Sequence, residues 1–87
     1  MEKIDRQYAV RDDCLRREVA RMDDGGANPH ALGSLISQAC GTEARELVVL
    51  INPRRDPQVA ARMAEDSAAK AAGYVLAARR AKAATDR

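Results

Sequence analysis

Aromatic side chains are almost missing from this chain of 87 residues, which has no Trp and no Phe and only Tyr8 and Tyr74. Single-stranded nucleic acids bind to platforms of several stacked rings, so that class is disfavoured from the outset. Histidine is equally scarce, with His30 alone. Any Cys–His or Ser–His pair must use it, and Cys40 lies nearly three helical turns away. Ser34 is one turn from His30, but nothing nearby supplies an oxyanion hole or a glycine-rich phosphate loop, and Gly25-Gly26 fits neither the P-loop nor the dinucleotide pattern. His30 reads as a solvent-facing residue beside a helix start.

One histidine and two widely spaced cysteines, Cys14 and Cys40, do not close a tetrahedral zinc site. The acidic pairs Asp12-Asp13 and Asp23-Asp24 lack the alternating spacing of a calcium loop. Neither a metal nor an organic cofactor is expected, and no enzyme chemistry. Long apolar runs are missing as well: the longest large-aliphatic run is Leu47 to Ile51, far short of the ~20 residues of a membrane span. The segment MEKIDRQYAV holds no continuous apolar stretch, so no secretory leader is expected and the protein is read as cytoplasmic. In that reducing compartment Cys14 and Cys40 read as free thiols. A disulfide between them is the alternative, with no support from the sequence.

What the chain does have is alanine. Eighteen alanines stand beside 20 larger apolar residues (Ile, Leu, Val, Met and Tyr), so nearly half of the 46% hydrophobic content is a residue that buries little area. At about 25 cal/mol per Å² the gain from burial is modest. A chain of this length supplies one core, so a single helical domain over 1–87 is expected, marginally stable alone and stabilised by self-association, with a homo-oligomeric dimer favoured. The net charge of +2 hides an asymmetry: residues 1–24 and 25–53 each carry a net of −1, and residues 54–87 a net of +4. That excess is mild beside a dedicated nucleic-acid arm.

The apolar pattern predicts an all-α fold. Ile4, Tyr8, Leu15, Val19 and Met22 fall within about 60° of one another on a helix from about 2 to 23, with Arg11 and Glu18 on or beside the stripe. Gly25-Gly26 ends it. Asn28-Pro29 starts a short helix to about 40, with Gly41 as its stop. Thr42 then caps a second short helix to about 52, carrying LVVLI. That run also reads as a buried strand from its β-branched content, but no other segment offers it a pairing partner, so helix is preferred. Asp56-Pro57 begins a long helix to about 84, in which twelve of residues 60–84 are alanine. Residues 84–87 are expected to fray.

Along the last helix Ala60, Ala64, Ser67, Ala71, Tyr74, Ala78 and Ala81 form a heptad-like ridge of small residues, flanked by Met63, Ala68 and Val75, with Arg62, Glu65, Asp66 and Arg80 opposite. The candidate seam for a partner protein or a second copy comprises Tyr8, Arg11, Leu15 and Glu18 of the first helix and Ala64, Ala71, Tyr74 and Val75 of the last, with the two tyrosines as anchors. Arg79-Arg80-Lys82 reads as cations complementing a helix C-terminus.

The function expected from this pattern is non-enzymatic: a small helical regulator or inhibitor that occupies a partner protein's surface, of the size and kind mobile elements encode. The alternative is a helix-turn-helix DNA-binding regulator using residues 32–51, with Ile36, Cys40, Leu47 and Leu50 packing the unit and Arg45, Arg54 and Arg55 touching DNA. Glu43 and Glu46 at the start of its reading helix oppose phosphate contact, so nucleic acid is the less favoured partner.

Overall fold

A computed structural model describes residues 2–86. These form four helices and no strand: α1 (Glu2–Met22), α2 (Pro29–Ala39), α3 (Gly41–Ile51) and α4 (Pro57–Thr85). The all-α layout of two long helices with two short ones between them follows the apolar pattern, and LVVLI is helical. The helix ends show why. The Asn28 side chain accepts hydrogen bonds from the backbone N–H of His30 and Ala31, with Pro29 in the first turn. Asp56 does the same for Gln58 ahead of Pro57. Between α1 and α2, Gly25 takes the left-handed φ of +89° that a side chain would resist, while the Asp23 and Asp24 carboxylates accept from the N–H of Gly25 and Gly26.

Two boundaries differ from expectation. Gly41 does not stop α2; it is the first residue of α3. The break falls on Cys40 alone, whose φ of −99° and ψ of 24° bend the chain while its N–H still bonds to α2 carbonyls. Thr42 therefore lies inside α3 and makes no cap; its hydroxyl accepts from Arg45 instead. At the other end, α4 continues to Thr85, whose hydroxyl bonds back to the Ala81 carbonyl; Arg87 lies outside the described residues.

The core draws Cys14, Leu15 and Val19 from α1, Leu32 and Ile36 from α2, Cys40 from the bend, and Ala71 and Val75 from α4, with Met22 and Tyr74 packed against it. Cys14 and Cys40 are joined by a disulfide, with Cα atoms 6.0 Å apart, which corrects the expectation of free thiols. A separation of 26 residues carries no spacing signal; folding α2 back along α1 brings the pair together.

The tightest helix contact is that of α2 on α4. A Cβ built on Gly33 would lie 2.8 Å from the Ala68 carbonyl oxygen and 2.9 Å from the Ala72 nitrogen, both backbone atoms. Small residues on both helices create this approach. Gly33→Ala gains about 1 kcal/mol of helix propensity but drives a Cβ against backbone atoms that cannot turn aside, an overpacking that costs about 2–3 kcal/mol. The substitution is expected to lower the thermal midpoint by roughly 4–16 °C, about 1–2 kcal/mol, measured by circular dichroism. An unchanged or raised midpoint would show that the crossing is open.

By contrast α2 and α3 touch each other least of all helix pairs; α2 packs on α4 and α1, and α3 on α1 and α4. Ile36, Cys40 and Leu47 are buried, but α2 and α3 do not close on each other as the helix-turn-helix alternative requires. The molecule is extended, 49 × 25 × 15 Å, with a radius of gyration of 13.9 Å, above the ~12 Å of a compact chain this long. Its helices therefore leave flanks uncovered.

Candidate functional site

Four of the residues nominated for a partner seam, Arg11, Leu15, Ala71 and Val75, are fully buried inside the chain itself. Their contacts are already taken by its own helices. Arg11 is the most telling. Its Nη1 donates to Asp66 Oδ2 at 2.8 Å and Ser67 Oγ at 3.3 Å, and its Nε and Nη2 donate to Asp12 Oδ1 at 3.0 and 2.9 Å. The guanidinium carbon lies 5.2 Å from the centre of the Tyr8 ring. Burial pulls the Arg11 pKa down, but the bonds to Asp12 and Asp66 outweigh it and hold it above its ordinary value. Asp66, expected on the outer face of α4, instead faces α1.

The two tyrosines are half-buried and each is engaged by the chain itself. The Tyr8 hydroxyl donates to Met63 Sδ at 3.9 Å. Arg16 stacks 4.8 Å from the Tyr74 ring centre and donates to its hydroxyl at 3.3 Å. Glu18 pairs with Arg21 at 2.7 Å, an arrangement that lowers the carboxyl pKa and raises that of Arg21. Arg79 does more than complement a dipole: it bonds Asp23 and the Ala27 carbonyl at 2.8 and 2.7 Å, tying the α1–α2 turn to α4. The Asp23 carboxyl is held below its usual range by Arg79 first and by the Gly25 N–H second.

Ala64 is different, because it is exposed. The alanine ridge divides near Ser67. From Ser67 to Val75 it is covered by α1 and α2, whereas Ala60 and Ala64 border an open groove between α3 and α4. The upper groove has a volume of about 420 Å³, with Leu47 at its floor and Ala44, Val48, Val49, Met63 and Ala64 in its walls. It runs into a lower section of about 520 Å³ beside the α3–α4 turn, bordered by Pro53, Arg55 and Pro57. Five consecutive large aliphatic residues encircle a helix, and α1 covers only part of α3 through Gln7, which donates to the Glu43 carbonyl and to Glu46 Oε2. Leu47 turns inward; Val49 is left 73% exposed, the most exposed of the large apolar residues. That surplus of apolar circumference on an 11-residue helix was the signal for the groove.

Two of the three arginines of the DNA reading, Arg45 and Arg55, line the same groove. Arg45 is exposed and lines its upper section, bonding only Thr42 Oγ1 at 3.4 Å. Arg55 is exposed at the lower section with a left-handed φ of 55°. Arg54 is exposed in the same turn, which is fixed by buried Asn52, whose side chain accepts from the Asp56 N–H and donates to its carbonyl, both at 2.9 Å. A single residue joins α2 to α3, where a DNA-reading unit has a turn of about three or four. His30 and Ser34 are exposed and unconnected. Among the described residues no group of three or more His, Cys, Asp or Glu converges on a metal position, no helix is long and apolar enough to cross a membrane, and every buried side-chain polar atom has a hydrogen-bond partner. Set against known proteins, the chain matches no family model, no curated protein and no solved structure.

Proposed function

We propose that this chain is a non-enzymatic helical protein that works by binding another protein through the α3–α4 groove, as a regulator or inhibitor that covers part of its partner. The observation that carries this reading is the groove itself: an open apolar trough with Val49 standing 73% exposed at its edge, on a chain otherwise short of large apolar residues. Covering such a surface is favourable by about 25 cal/mol per Å², and helix-lined troughs are a recurrent docking mode. The remaining seam residues support the frame around it. The second reading, DNA binding, draws on Arg45 and Arg55 at the groove; self-association would place a second copy there.

Ala64→Glu tests the proposal, because residue 64 is exposed and the substitution fills the trough with charge without touching the core. A tagged chain purified from its source cells is expected to recover a heterologous protein, and the variant to recover it at least tenfold less, with helix content unchanged by circular dichroism. Recovery that is equal for both forms, or of the chain alone, overturns the reading.

A further inference from the structure

The geometry points to an acidic amphipathic helix as the occupant of the α3–α4 groove, an inference that rests on the groove being the working surface. The lining residues of α3 run from Gly41 to Val49, roughly 12 Å at 1.5 Å per residue, which matches about two turns of a docked helix. Alanines on both walls allow a close backbone approach, and Met63 adapts to whatever side chain enters. An extended strand would find no unpaired sheet edge here. A nucleic-acid duplex would press its polar groove edges against apolar walls that return no hydrogen bonds.

Charge then selects among helices. Arg45 borders the upper section and Arg55 the lower, and neither takes part in an ion pair among the described residues. Of the carboxylates nearby, Glu46 accepts from Gln7 on the α1 side, while Asp56 lines the lower section and accepts from the Gln58 N–H at the start of α4. The trough is thus apolar along its length and basic at its upper end, with Arg55 beside Asp56 at the lower end and a net charge of +1 over its lining (Arg45 and Arg55 against Asp56). Its complement is a helix with apolar residues at i, i+3/i+4 and i+7 and acidic residues flanking them.

Fluorescence anisotropy decides, using a labelled helical peptide of about 14 residues with leucines at that spacing and glutamates at both ends, beside a twin carrying lysines instead. At ~50 mM salt the acidic peptide is expected to bind about tenfold more tightly than its twin, the size of effect two solvent-facing charge pairs give when attraction becomes repulsion. The Arg45→Glu/Arg55→Glu double variant should invert that preference, and Ala64→Glu should abolish binding of both. Equal binding of the two peptides overturns the acidic partner and leaves the groove as a docking site. Binding of neither also overturns it, while the docking function stands or falls on the co-purification result. Duplex DNA that binds through Arg45 and is not displaced by the acidic peptide overturns it in favour of nucleic acid. A dimer that Ala64→Glu dissociates, seen by light scattering, overturns it in favour of a second copy.

Discussion

Replacing Arg11 with alanine is expected to lower the thermal midpoint by roughly 12–24 °C, about 3 kcal/mol, the largest effect of any single substitution outside the two cysteines. Arg11 is the bulkiest of the fully buried side chains, so truncation opens a cavity between α1 and α4. It also removes the cation that Asp12 and Asp66 share. The two carboxylates do not suffer equally. Asp66 is 42% exposed and regains water, whereas Asp12 is 15% exposed and keeps only Lys70, at 3.9 Å. A guanidinium keeps its proton at every working pH, so Arg11 has no neutral form in which to escape the cost of burial. Arg11→Met separates the contributions: it preserves most of the volume and discards the charge, and about half the loss should return. Heat unfolding followed at 222 nm measures both. A loss under about 1 kcal/mol for the alanine variant would show that the guanidinium is hydrated and the helix pair held by other contacts.

Breaking the Cys14–Cys40 bond is expected to cost a similar amount, about 3.5 kcal/mol from loop-closure entropy over the 26 residues it spans. Urea unfolding with and without a dithiol reductant reads the difference directly, and the Cys14→Ser/Cys40→Ser variant should behave as the reduced protein or worse, since it places two hydroxyls in an apolar core. Identical curves with and without reductant would show that the two sulfurs are not bonded. The result bears on where the protein works. Such a bond persists in oxidising compartments and is rare in a cytoplasm kept reduced by glutathione, where the pair would stand as two buried thiols. The bridge thus weighs against the cytoplasmic location that the apolar pattern suggested.

Helix existence was legible because its signals are local. Asn28-Pro29 and Asp56-Pro57 cap in the structure as they read in the chain, and Gly25 takes the turn its neighbours demand. The period of Tyr8, Leu15 and Val19 identified the inner face of α1. What the sequence left open is which face meets which, since that depends on residues far apart. Arg11 on an apolar stripe looked like a register device for a partner; its partners are Asp66 and Ser67, more than fifty positions away. Cys14 and Cys40 carried no motif for the same reason. The ridge of α4 was correctly read as a packing surface, but nothing in its even spacing showed that its covering ends near Ser67. The groove was visible only as an excess, five aliphatic residues on a helix too short to bury them all.

The contact at Gly33 has a mechanical consequence. With backbone resting on backbone and no side chain between, α2 has no slack against α4, and the two move together as one plank. Helix α3 joins that plank through the single residue Cys40, which is bonded to Cys14 of α1, and its far end is tied to the start of α4 by the paired Asn52–Asp56 hydrogen bonds. Both walls of the trough are therefore anchored at each end, and a guest helix must match the width that these ties set.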